Sequence, residues 1–147
     1  INMGLPPFMV APALDTIIAQ RLVRKVCEHC RTMEPLADCE KKEFQAIMDN
    51  LKNVNPSAVV DIPEKIAKAK GCSKCSNTGY SGRLVIAEVV TMNATLRDLV
   101  LKEASTVDLI AAARKDGIIT MREDGYIKVA QGLTTLEEVY RVTNLSS

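Results

Sequence analysis

The sequence predicts a mostly helical α+β protein, and three observations carry that expectation. Aromatic residues make up only 3 % of the 147 residues while apolar residues reach 47 %, so the core must be built from Leu, Ile, Val, Met and Ala, a balance that leans helical. One nearly continuous β-branched run, RLVIAEVVTM at 83–92, is the best strand candidate in the chain. After it comes a series of Ser/Thr–x–x–Asp/Glu helix starts, each leading into apolar residues at helical spacing.

In chain order, Pro12 suits the first turn of a helix, where a missing N–H costs nothing. Leu14, Ile17, Ile18 and Leu22 then form one apolar stripe, and Arg21, Arg24 and Lys25 favour the negative end of the helix dipole. This predicts a helix running directly into CEHC at 27–30. Phe44, Ile47, Met48 and Leu51 repeat at i, i+3, i+4, i+7 and predict a second amphipathic helix. Residues 63–70 read as a short helix begun by Pro63 and ended by Gly71. Leu84 to Val90 reads as a strand buried on both faces, with Glu88 at its rim. Asn93 or Thr95 caps the next helix. Ser105 with Asp108, Thr120 with Glu123 and Thr135 with Glu138 open those that follow.

Composition disfavours several classes. The formal net charge is +1 with Lys and Arg spread along the chain, so the concentrated basic face expected of a nucleic-acid binder is missing. No apolar run approaches the ~18–20 residues that cross a bilayer. INMGLPPFMVAPALD at the start has no basic n-region and two early prolines, which does not read as a signal peptide. Without an initiator Met, the chain reads as a piece of something longer. None of the seven glycines is followed by Lys, so the chain carries no G-x-x-x-x-G-K-[ST] phosphate loop.

The chemistry lies in the cysteines. Cys27 and Cys30, then Cys72 and Cys75, repeat a C-x-x-C spacing with forty-one residues between the pairs. Two thiols at that spacing on a tight turn point to one side and can share a metal ion. Two such pairs supply the four ligands of a closed structural zinc site, which does no Lewis-acid chemistry. The rival readings are four unrelated core thiols or a redox dithiol, but a thioredoxin-type dithiol wants a single pair at a helix N-terminus after a strand. Cys39, left over from the pairs, reads as a small buried apolar residue in preference to a fifth ligand, and His29 reads as a solvated surface residue in preference to an alternative ligand. As His29 is the only histidine, Cys-His or Ser-His-Asp catalysis has nowhere else to run.

QRLVRKVCEHC at 20–30, GCSKCSNTGYSGRLVIAEVV at 71–90 and REDGYIKVAQGLTTLEEVYRVT at 122–143 resemble, in that order, the C-terminal part of the type II secretion and type IV pilus assembly ATPases, and MGLPPF at 3–8 resembles the segment entering it. The resemblance implies a cytoplasmic, hexameric RecA-like motor, peripheral to the inner membrane and docked to a platform protein there. It implies zinc held by Cys27, Cys30, Cys72 and Cys75, and ATP with Mg²⁺ bound only by upstream parts of the parent protein. It divides the chain into the end of the ATPase core with a helix entering the lobe (1–26), a four-cysteine zinc lobe (27–82), and a core strand with a C-terminal helical bundle (83–147). Arg21, Arg24 and Arg83 read as ordinary helix-end or rim charges, with a subunit boundary as the alternative. The competing function is a free-standing zinc-ribbon module binding nucleic acid or protein, with a redox enzyme third.

Overall fold

A computed structural model of the chain describes residues 5–143. The outermost residues of the first and last predicted segments therefore lie outside the described residues. The fold is α+β. Helix α1 (Pro7–Ala13) leads into strand β1 (Thr16–Val26), followed by β2 (Thr32–Pro35), α2 (Asp38–Val54), β3 (Lys65–Lys68) and β4 (Tyr80–Thr91). Helices α3 (Ala94–Leu101), α4 (Thr106–Lys115), α5 (Met121–Ala130) and α6 (Leu136–Thr143) complete the described chain.

The long strand β1 overturns the helix predicted from Leu14 to Lys25. Its eleven residues pair antiparallel with β4, from Thr16 opposite Thr91 to Arg24 opposite Arg83, with an irregularity before Val26 meets Tyr80. The apparent helical stripe arose because Ile17, Ile18 and Leu22 happen to fall at helical spacing. With a β-branched partner strand available, the ladder wins, and only Val23 and Val26 of β1 are buried. Pro7, not Pro12, occupies the first turn of the helix that precedes it. The helix predicted at 63–70 is instead β3, paired with β2 so that Ile66 and Ala67 are fully buried. The strand expected at Leu84–Val90 is present inside β4, but it is not covered on both faces. Ile86 is buried while Val85 and Val89 are exposed, because helices pack on one side only.

The predicted helix around Phe44 is α2. Its Phe44, Met48 and Leu51 meet Ile66 of β3 and Tyr126, Val129, Leu136 and Val139 of α5 and α6 in the main core. Phe44 and Tyr126 pack edge to face at 4.7 Å between ring centroids, worth about 1 kcal/mol beyond their area. A second cluster joins Val23 and Ile86 of the sheet to Val142 of α6. A third joins Met92 to Leu96 of α3 and Ala113 of α4. The predicted caps hold: Asn93 accepts from the Leu96 N–H, Ser105 from the Asp108 N–H, and Thr120 and Glu123 form a reciprocal capping box. Glu123 does more than cap. Its buried carboxylate accepts two hydrogen bonds from Arg114 at 2.6 and 2.7 Å and one from Asn50 at 3.0 Å, which ties α4 and α2 to the start of α5.

Gly125 sits where α5 crosses α6. A Cβ there would lie 2.7 Å from Val139 Cγ1. Helix propensity alone makes Gly125→Ala stabilising by up to ~1 kcal/mol, whereas overpacking makes it destabilising by about 1–3 kcal/mol. Packing is expected to win, and a thermal melt showing a raised midpoint would contradict the close crossing.

Candidate metal centre

Two short turns bring the cysteines together. At the end of β1 the Cys27 N–H donates to Gly79 O at 2.9 Å, and the N–H groups of Cys30 and Arg31 turn back to Cys27 O at 3.3 and 2.9 Å. The second pair lies on a single 3₁₀ turn, Ser73–Cys75, closed by Cys75 N–H and Asn77 N–H donating to Cys72 O at 3.1 and 2.8 Å. The Cys27–Gly79 hydrogen bond sets one turn against the other.

The result is a four-sulfur group. The Sγ atoms of Cys27, Cys30, Cys72 and Cys75 all lie within 4.8 Å of one another, with Cys30 to Cys75 at 3.8 Å and Cys72 to Cys75 at 3.7 Å. Regular tetrahedral coordination at a Zn–S distance of about 2.3 Å requires S···S edges of about 3.8 Å. All five cysteines are free of disulfides. Cys27 and Cys75 are buried and Cys30 and Cys72 half-buried, so this group can hold a metal ion with little of it open to solvent.

Backbone donors prepare one sulfur for negative charge. Burial alone raises the Cys75 pKa, but the N–H groups of Cys72 and Gly79, each 3.2 Å from its Sγ, together with hydrogen bonds from the Cys72 and Cys30 thiols, outweigh burial and lower it to about 6. Burial, together with the neighbouring thiols, pushes Cys30 up to about 12, as expected when four like groups compete to ionise in one place. A divalent cation resolves that competition, since coordinating thiols deprotonate outright. Gly79 is required here: its φ is +77°, and a Cβ would lie 2.7 Å from Ala69 Cβ and 3.0 Å from Ala69 C.

All four predicted ligands converge. The two other residues singled out do not join them. His29 is exposed, with Nδ1 3.5 Å from Lys74 Nζ. Cys39 is exposed, which corrects the expectation that it is buried. It opens α2 on the side turned about 120–180° from Phe44, Met48 and Leu51 at 3.6 residues per turn.

The sequence reading missed what anchors this centre to the C-terminal helices. Arg24 was expected to be a rim charge and Glu138 a capping residue. Instead the Glu138 carboxylate, 1 % exposed, accepts from Arg24 Nη2 at 2.7 Å, from the Arg24 N–H at 2.8 Å, and from Arg141 Nε and Nη2 at 2.9 and 2.7 Å. The Arg24 guanidinium also stacks 4.1 Å from the centre of the Tyr80 ring, whose hydroxyl meets Thr135 Oγ1 at 3.0 Å. Burial raises the Glu138 pKa, yet the hydrogen bonds from Arg141 and Arg24 prevail and bring it from 4.5 to about 2. No local pattern announces a contact across 114 residues.

Fold and site together define an α+β chain in which four cysteines from two turns form one group that can hold a metal ion. The model of the family described as Type II/IV secretion system protein matches residues 1–141. The chain is 37 % identical over 145 residues to the type IV pilus assembly ATPase TfpB of Acinetobacter baylyi, covering 99 % of this chain and 23 % of that protein. It is 36 % identical over 138 residues to the type IV pilus assembly ATPase PilB of Thermus thermophilus, covering 94 % of this chain and 14 % of that one. It is also 36 % identical over 147 residues to type II secretion system protein E of Pseudomonas aeruginosa, covering 97 % and 26 % respectively. The chain belongs to the type II/IV secretion ATPase family. It spans about a quarter or less of the length of the curated relatives it matches.

Proposed function

We propose that the chain is the C-terminal region of a hexameric ATPase that drives pilus or pseudopilus assembly, and that its four cysteines hold a structural zinc ion. The observation that carries this reading is the convergence of the four sulfurs, all within 4.8 Å of one another, within a segment matched to secretion and pilus ATPases. Residues 1–26 then end the ATPase core, 27–82 form the zinc-binding lobe and 83–147 form a core strand with a helical subdomain. ATP and Mg²⁺ belong to the parent protein; the role of this region is mechanical. A closed thiolate site fixes the two turns against each other and offers a rigid surface to neighbouring subunits and to an inner-membrane platform protein, on the cytoplasmic side. Among the described residues no helix is long and apolar enough to cross a membrane.

Elemental analysis of protein purified without added zinc tests the metal. One zinc per chain is expected, retained in Cys39→Ser, whose exposed thiol stands apart from the four-sulfur group, and lost in Cys72→Ser. Metal-free protein with four reactive thiols would overturn the zinc assignment and favour redox chemistry. A free-standing zinc-ribbon module is the second reading. It predicts retention on heparin at physiological salt, where a chain of net charge +1 without a basic face should pass through.

A further inference from the structure

Where α6 packs on β1, a cavity of about 270 Å³ opens between Arg21 and Leu22 of the strand and Arg141 and Val142 of the helix. Its apolar side is fixed by the core, because Val142, 6 % exposed, packs on Val23 and Ile86. Arg21 stands two residues before Val23, on the same face of the sheet, since side chains alternate along a strand. Arg141 immediately precedes Val142 on α6. The packing that buries Val142 therefore brings two guanidinium groups to one cavity. Arg141 is also held in place, with its Nε and Nη2 donating to the two oxygens of Glu138 at 2.9 and 2.7 Å.

Charge around this cavity is unbalanced. No acid lines it. Arg141 and Arg24 share the single carboxylate of Glu138. Elsewhere the fold gives an arginine its own acid, Arg97 with Asp15, Arg114 with Glu123 and Arg122 with Glu43. The exposed Arg21 side chain has neither an ion pair nor a hydrogen bond among the described residues. Three guanidiniums thus gather about one carboxylate, which leaves two positive charges in excess. Like charges held together disfavour one another, and an anion between them relieves that cost.

We propose that this cavity is a binding site for a phosphate group, held between the guanidiniums of Arg21 and Arg141. The planar fork of a guanidinium matches phosphate oxygens two at a time. A phosphate monoester carries about −1.5 to −2 at neutral pH, which meets the excess of two positive charges. Pockets that enclose a whole drug-sized ligand run to about 300–1,000 Å³. A cavity of about 270 Å³ takes the phosphate group and leaves the rest of its carrier outside. Arg24, bound to Glu138 and stacked on Tyr80, adds field without touching the ligand. The same chemistry is offered by a soluble phosphate ester and by the phosphomonoester headgroup of a lipid.

Titration of the 147-residue chain with inorganic phosphate, followed through the arginine Nε–H resonances, tests the site. Saturable shifts are expected at Arg21 and Arg141 and not at Arg97, which is paired with Asp15. Arg21→Gln should weaken phosphate binding by about tenfold. Because Arg21 is exposed and unpaired among the described residues, the melting midpoint should stay within about 2 °C. Lys42→Gln removes the same charge from an exposed lysine of α2 and should change the affinity by less than about twofold. No saturable shift at Arg21 would overturn the proposal. Equal losses in the two variants would do so as well, since general surface charge would then account for the binding. Vesicles of phosphatidylcholine with and without phosphatidic acid separate the two carriers. Cosedimentation that needs phosphatidic acid and falls in Arg21→Gln supports a lipid headgroup. Phosphate binding without cosedimentation supports a soluble ester.

Discussion

With zinc bound as proposed, its removal by a chelator at pH 7 is expected to unfold most of this chain, and Cys72→Ser to do the same without chelator. Structural zinc contributes roughly 10–16 kcal/mol of apparent binding free energy in small peptides at neutral pH. Whole domains are stable by only about 5–15 kcal/mol, so losing the ion takes away a term of that size. Its loss would also release a four-thiol cluster whose members resist ionising together, as the raised pKa of Cys30 and lowered pKa of Cys75 show. The forty-one residues between the pairs include α2, which supplies Phe44, Met48 and Leu51 to the main core. Melting should therefore spread beyond the two turns into α5 and α6. Thermal denaturation followed by far-UV circular dichroism, with and without chelator, measures this. A midpoint changed by less than about 3 °C, which is about 1 kcal/mol in a chain of this size, would show that the fold stands without its clamp.

Glu138→Ala is expected to be the most damaging substitution outside the cysteines, at about 3–5 kcal/mol. The carboxylate is 1 % exposed and satisfies two guanidinium groups and a main-chain N–H of β1. Removing it leaves the Arg24 N–H without its acceptor and two like charges close together. The guanidiniums, about half exposed, regain some hydration, which sets the lower end of the range. The pH dependence has a definite sign. A carboxyl group whose pKa is lower in the folded than in the unfolded chain stabilises the fold fully above the unfolded value. For Glu138 that contribution is retained above about pH 4.5 and lost as pH falls toward about 2. The shift corresponds to about 3 kcal/mol. Urea midpoints of the native protein and Glu138→Gln should therefore differ most near neutral pH and converge in acid. The difference is the quantity to follow, because acid also protonates other carboxylates of both proteins. A pH-independent gap would mean that packing, and not the charge, accounts for the effect.

Much of the helical half was legible. The caps at Asn93, Ser105 and Thr120 are local hydrogen-bonding devices complete within four residues, so the sequence contains everything needed to place them. The Phe44 stripe was legible for a related reason: the periodicity that makes α2 amphipathic is also the periodicity that buries it. At β1 the same logic misled, because Leu14, Ile17, Ile18 and Leu22 match a helix whether or not one forms. Their fate was decided by β4, sixty residues and more along the chain. Residues 63–70 failed likewise, since four residues of β3 have too little period of their own to outvote pairing with β2.

The amino-acid sequence by itself determined which four cysteines form one group and the family, because the spacing within each C-x-x-C pair and the motifs around it are local and covalent. Tertiary structure alone decided that Cys39 faces solvent and that Arg24 and Arg141 meet over a buried Glu138. Those outcomes depend on contacts between segments up to 114 residues apart. Such contacts form only when packing brings the segments together, and they leave no periodic trace in either one.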